Sequence, residues 1–188
     1  MSIISEAFER HKDLVLKLNS IVPDIEKGAE LLADVVKRGN KLLACGNGGS
    51  AADAQHLVAE WMCKYKDDRK PLPAISLTTN TSTITAIAND YGFEYVFSRQ
   101  VESLGQSGDA LVAITTSGKS PNILKAIDVA KNKGMKVIVL AGERGADLKK
   151  IVDLAVVVPS SETARIQEMH ELIIHAWCEF VDESIKNS

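Results

Sequence analysis

The spacing of apolar positions changes character part-way along the chain. Residues 3–19 and 24–38 carry apolar side chains at helical intervals: Ile4, Phe8, Leu14 and Leu18, then Ile25, Leu31, Leu32, Val35 and Val36. Two amphipathic helices are predicted there, punctuated by Pro23 and Gly39. From residue 41 short apolar runs alternate with helical stretches. "KLLACG" (41–46), "PAISL" (73–77), "ALVAITTSG" (110–118), "KVIVLAG" (136–142) and "LAVVVPS" (154–160) read as five strands. Helices are predicted from Ser50 to about Tyr65, over 82–88, 94–104 and 120–134, and as a long closing helix over 162–186. Continuously apolar strands separated by helices imply a parallel sheet covered on both faces. In such sheets ligands sit beyond the carboxyl ends of the strands. The loops at 46–50 and 116–120 both leave strands at that end, so they should share one edge.

Composition narrows the class. A chain of 188 residues suits one domain with a substantial core. Hydrophobic residues make up 45% and charged residues 25%, the balance of a soluble globular protein. The net charge of −3 lacks the basic character of a nucleic-acid binder. No apolar run approaches the ~20 residues of a membrane span. Glu6 stands early in an N-terminus without an apolar leader core, so no signal peptide is expected. Cys45, Cys63 and Cys178 are odd in number and show no paired spacing, which suggests reduced thiols and a cytoplasmic protein.

Two loops look built for a phosphate. In "GNGGSAAD" Gly46, Gly48 and Gly49 permit close backbone approach, and Ser50 followed by Asp53 reads as an N-cap with a capping-box variant. Free N–H groups at a helix start favour an anion. "TTSGKSPN" repeats the arrangement, with Ser120 as cap, Pro121 in the first turn, and Thr115, Thr116 and Ser117 adding hydroxyls beyond what capping requires. Two nucleotide readings compete and weaken. "GNGGSA" fits a dinucleotide fingerprint, but the second strand ends "LTTN" without an acid for a ribose. "SGKS" resembles the end of a P-loop, but Ala113 stands where its first glycine belongs and "VIVLAG" has no aspartate for Mg²⁺.

His56 and Glu60 lie four residues apart, on one face of the helix that begins at the first loop. On the closing helix Gln167, Glu171 and His175 recur at the same interval, and His170 lies off that line. Such pairs often serve only as surface hydrogen bonds. His175, however, stands in the apolar "LIIHAWCEF", where an imidazole needs an acceptor or a metal.

Together "CGNGGSAADAQHLVAE", "IANDYGFEYVFSRQVESLG", "TTSGKSPNILKAI" and "TARIQEMHELIIH" resemble the SIS (sugar isomerase) domain family, and within it the phosphoheptose isomerases. The resemblance spans essentially the whole chain. It implies a three-layer αβα sandwich with a five-stranded parallel sheet, flavodoxin-like, over residues 1–188. Residues 1–38 would be a helical segment packing in a homotetramer with active sites between subunits. The implied reaction converts sedoheptulose 7-phosphate to D-glycero-D-manno-heptose 7-phosphate through an enediol(ate), for lipopolysaccharide or capsule. The implied substrate contacts are Asn47, Gly48, Gly49, Ser50, Glu60, Asn89, Asp90, Thr115, Thr116, Ser117, Ser120 and Gln167, with Arg165 also near substrate. The implied zinc ligands are His56, Glu60, Gln167 and His175, and the catalytic pair is Glu60 and His175. Many relatives carry Gly-Arg where this chain has Cys63-Lys64, which keeps a charge but loses the bidentate fork. Some carry aspartate at the position of Ala164. Two other classes stay open: a non-enzymatic SIS protein binding the replication initiator, and a sugar-phosphate sensor. The retained Glu60 and His175 count against both, and no DNA-binding segment is apparent.

Overall fold

The computed structural model describes residues 2–186; Met1, Asn187 and Ser188, which the expected domain also spans, lie outside the described residues. Five parallel strands form one sheet: β1 (Leu42–Gly46), β2 (Ala74–Ser76), β3 (Ala110–Thr115), β4 (Lys136–Gly142) and β5 (Leu154–Val158). Their order is β2-β1-β3-β4-β5. The chain therefore steps outward to one edge after β1 and to the other after β3, and the switch point lies between these two strands. Residues of β1 and β3 pair in register from Leu42 opposite Ala110 to Gly46 opposite Ile114. The loops leaving both strands consequently emerge side by side.

Among the described residues there are seven α-helices: α1 (Ile3–Lys17), α2 (Val22–Lys37), α3 (Gly49–Met62), α4 (Thr81–Tyr91), α5 (Ser98–Leu104), α6 (Pro121–Asn132) and α7 (Thr163–Lys186). Successive side chains of a strand point to opposite faces, so β1 divides its apolar residues between two cores. Leu42 and Ala44 pack with Leu32, Leu57, Trp61, Ile173 and Trp177 under α2, α3 and α7. Leu43 and Cys45 pack with Leu77, Phe97, Ile123 and Ile127 under α5 and α6. Cys45 and Cys178 are buried thiols whose pKa burial pushes up to about 12, and Cys63 is exposed.

The element order matches the sequence pattern, and the differences lie at the boundaries. Pro23 sits in the first turn of α2, where its missing N–H costs nothing, and a 3-10 turn over Leu18–Ile21 carries the chain straight from α1. α3 stops at Met62, three residues short of the expected Tyr65, because Cys63 leaves helical geometry (φ −92°, ψ −95°). α4 runs longer than 82–88 because the Asn80 side chain accepts the Thr83 N–H at 2.9 Å and caps it. The segment over 94–104 divides into a 3-10 turn, Phe93–Tyr95, and α5. A 3-10 stretch over Glu143–Lys150, without an apolar period to announce it, precedes β5.

His170 is fully buried on the inner face of α7, and burial pushes its pKa down to about 4. Its folded pKa lies below its ordinary value of 6.5, so the unfolded chain binds the extra proton between those limits. Its contribution to stability is intact above pH 6.5 and is lost as pH falls towards 4. Replacing His170 by Gln should reduce the acid-side loss of folding free energy by up to about 3 kcal/mol. Denaturant unfolding at a series of pH values checks this; an unchanged slope would contradict it.

Candidate active site

The loops after β1 and β3 are tied to each other. The Asn47 amide donates to Asn122 Oδ1 at 2.9 Å, and the Asn122 amide donates back to Asn47 Oδ1 at 2.8 Å. Asn122 is buried, and its Oδ1 also accepts the Ile123 N–H. Asn47 thus helps hold the loops together while lining the space between them. Gly46 is required by close packing, since a Cβ there would lie 2.2 Å from the Ser50 carbonyl oxygen. Gly48 alone of the three loop glycines has positive φ, +56°, and it occupies the N-cap of α3.

That placement corrects the expected capping. Ser50 is not the N-cap; it lies inside the first turn of α3, where no side chain caps the helix. Asp53 accordingly is no capping-box partner. Ser120 does take the N-cap position of α6, yet its hydroxyl makes no capping bond. The neighbouring hydroxyls are partly engaged: Thr115 Oγ1 accepts the Gly118 N–H at 3.1 Å, and Ser117 Oγ accepts the Lys119 N–H at 3.3 Å.

Between the loops lies a cavity of about 260 Å³. The structure brings Asn47, Gly48, Gly49, Ser50, Thr115, Thr116, Ser117, Ser120 and Gln167 to its walls. Thr163, the first residue of α7, joins them. Sequence reasoning missed Thr163; its position directly after β5, at the same sheet edge, was the available signal. Helices α3, α6 and α7 all begin at this cavity. Their N-terminal ends supply partial positive charge and free N–H groups without any lysine or arginine in the lining. A larger hollow of about 580 Å³ lies along the β2 edge, but Arg99 is its one charged lining residue.

Further along α3 and α7 the polar residues change type. Gln167 lies against Gly49, where a Cβ would come within 2.5 Å of the Gln167 amide nitrogen. One turn on, His56 Nδ1 faces Glu171 Oε1 at 2.6 Å. The opposite nitrogen, His56 Nε2, lies 3.2 Å from Glu60 Oε1 and 3.2 Å from His175 Nε2. The two imidazoles meet edge to face. With the proton on Nδ1, the Nε2 lone pair would face a carboxylate and a second imidazole, and Glu171 Oε1 is itself buried without a hydrogen-bond donor. That convergence of acceptors calls for a cation or further protons. Two histidines and carboxylates form a donor set suited to zinc, whose ~2.0–2.1 Å bonds space neighbouring donors about 3.3 Å apart. His56, Glu171 and His175 offer ligand atoms within 4.8 Å of one another. Glu171, which sequence reasoning aligned but left without a role, thus belongs to the cluster.

Asp53, half-buried on α3, has its pKa raised to about 6 by burial and by the nearby Glu171 carboxylate, with His56 opposing. Asn89 and Asp90 lie exposed at the end of α4, bonded to each other, and do not line the cavity within one chain. Arg165 turns away from the cavity and donates to the Ala7 carbonyl of α1 at 2.6 Å.

Comparison with known proteins places the chain in a family. The SIS domain family matches residues 8–142. Phosphoheptose isomerase 1 of Campylobacter jejuni is 50% identical over 184 residues, covering 98% of this chain and 99% of its own. The chain belongs to the phosphoheptose isomerase family of SIS-domain proteins. It is an enzyme, an isomerase. The phosphoheptose isomerase structure from Neisseria gonorrhoeae superposes with a TM-score of 0.90 at 42% identity, covering 96% of this chain and 97% of that one. That from Francisella tularensis gives 0.92 at 40%, covering 96% of each.

The free Ser120 hydroxyl yields a clean test. Ser120→Ala should weaken binding of inorganic phosphate about 10-fold, the worth of one hydrogen bond to a charged group. Because that hydroxyl caps nothing, the unfolding free energy should stay within about 0.5 kcal/mol of wild type. Calorimetric titration and chemical denaturation read the two effects; lost stability with unchanged phosphate affinity would contradict the assignment.

Proposed function

We propose that this isomerase interconverts sedoheptulose 7-phosphate and D-glycero-D-manno-heptose 7-phosphate through an enediol(ate). The observation carrying the reading is the sequence of chemistries along α3 and α7: an anion cavity at their N-termini, then an acid–base cluster one to three turns on. The phosphate is held by the backbone N–H groups of Gly48, Gly49 and Ser50 and by the hydroxyls of Ser50, Thr116, Ser117 and Ser120, with Thr115 and Thr163 beside them. Anchoring that end turns remote binding energy into orientation at the carbonyl.

Glu60 is the base. It takes the C1 proton of the ketose, the C–H electrons form the C1–C2 double bond, and the carbonyl oxygen at C2 becomes the second enediol oxygen. Returning the proton to C2 while the O1 proton leaves gives the aldose. His175 exchanges protons with the two oxygens. Asn47, Gln167, Asn89 and Asp90 complete the substrate contacts, the last two from a neighbouring subunit. His56, Glu60, Gln167 and His175 would hold a zinc ion, with the Glu171 carboxylate beside His56 Nδ1 at 2.6 Å. A bound zinc would supply Lewis-acid polarisation of the carbonyl.

The same reading takes the chain as one SIS unit over 1–188 and as a cytoplasmic homotetramer built through residues 1–38. Exposed Ile3, Ile4, Phe8 and Leu16 on α1 support that packing. The product then feeds heptose precursor synthesis for lipopolysaccharide or capsule. No described helix is long and apolar enough to cross a membrane.

Glu60→Gln should lower kcat by more than about 100-fold, the contribution of a positioned base, while sugar-phosphate binding persists. Steady-state kinetics and calorimetry check this; turnover near wild type would remove Glu60 from that role. Zinc affinity, measured by equilibrium dialysis, should fall about 10- to 100-fold in Glu171→Gln and further in His56→Ala. Unaltered affinity in His56→Ala would contradict the ligand set.

A further inference from the structure

The last carbonyls of α3, the helix that carries His56 and Glu60, need donors from outside the helix. Arg69 supplies donors to two of them, Glu60 and Trp61, and the Leu72 N–H also reaches the Trp61 carbonyl at 3.0 Å. The Arg69 Nη2 donates to the carbonyl oxygen of Glu60 at 2.9 Å, and its Nη1 donates to that of Trp61 at 2.9 Å and of Lys70 at 3.3 Å. The remaining nitrogen, Nε, donates to Asp182 Oδ1 at 2.6 Å. Both side chains are nearly buried, 9% and 6% exposed, so solvent competes little for these bonds. Asp182 stands on α7 about two turns beyond His175, on the same side of that helix.

One guanidinium therefore ties the main chain of Glu60 to the helix that carries His175. The loop holding Arg69 reaches the cluster a second time through Tyr65, whose ring lies 5.6 Å, centroid to centroid, from the His175 imidazole. A helix end could be capped by any donor. Here the donor's fork fits two successive carbonyls while its charge is fixed on the opposing helix, so it sets the distance between α3 and α7. A lysine ammonium lacks that fork.

We propose that Arg69, anchored by Asp182, is a positioning residue for the isomerisation, fixing Glu60 relative to His175 through the main chain of α3. The inference rests on the isomerase reading with Glu60 as base. Displacement of a base by about 1 Å costs on the order of 100-fold in rate without a matching loss of substrate binding. The phosphate cavity lies at the other end of α3, so KM should hold while kcat falls.

Two variants test this with sedoheptulose 7-phosphate as substrate, each assayed below its own unfolding midpoint. Arg69→Lys keeps a charge opposite Asp182 but cannot hold both carbonyls. The double variant Arg69→Met/Asp182→Leu replaces the buried ion pair with apolar side chains, an exchange that commonly preserves stability. Both should show kcat reduced about 10- to 100-fold with KM within about 3-fold of wild type. A folded variant of either kind with wild-type kcat would overturn the proposal, because cohesion without the carbonyl contacts would then suffice. Unfolding of both variants at every assay temperature would make Arg69 a residue of the fold alone and overturn it as well. Absence of turnover in the wild-type chain would bring down the isomerase reading itself, and this inference with it.

Discussion

The reciprocal amide bonds of Asn47 and Asn122 lock the two loops at the switch point, and the rest of the site depends on that lock. Parallel pairing of β1 with β3 brings the loops to one edge, but pairing alone leaves their tips free to separate. Two hydrogen bonds between neutral amides, one of them buried, close the gap without adding charge. The starts of α3 and α6 then converge with that of α7 around a cavity of about 260 Å³. An anion placed there meets oriented dipoles and hydroxyls, with no flexible cation to order first.

The second constraint is the side-by-side course of α3 and α7. Both helices start at the cavity, so residues at equal depth along them face the same volume. Helical periodicity then arranges the chemistry by distance from the phosphate end: Gly49 and Gln167 first, then His56 with Glu171, then Glu60 with His175. A phosphorylated sugar held at one end presents its carbonyl several ångströms further along. In the proposed reaction the anion site and the acid–base cluster would share a helix because they act on two ends of one molecule.

Much of this was legible in the sequence because it rests on local rules. Five apolar runs separated by helical stretches define the sheet, and "GNGGS" and "TTSGKS" mark the loops by composition. Periodicity of four aligned His56 with Glu60, and Gln167 with Glu171 and His175. What escaped depended on tertiary detail. Ser50 resembles an N-cap locally, yet Gly48, with φ +56°, takes that position. Thr163 acquires its place only when β5 is paired beside β4. Glu171 gains its partner from a helix more than one hundred residues earlier in the chain. Arg69 stands in an irregular polar stretch with no pattern to mark it, and its bond to Asp182 exists only after α3 and α7 are packed.

The most direct test of the account is turnover of sedoheptulose 7-phosphate in D₂O, followed by NMR of the product. The account predicts formation of the aldose with solvent deuterium at C2, because a carboxylate base carries the transferred proton and exchanges it with solvent. Turnover with no deuterium at C2 under any condition would point to direct hydride transfer and contradict the enediol route. Sugar-phosphate binding without any turnover would contradict the isomerase assignment at its root.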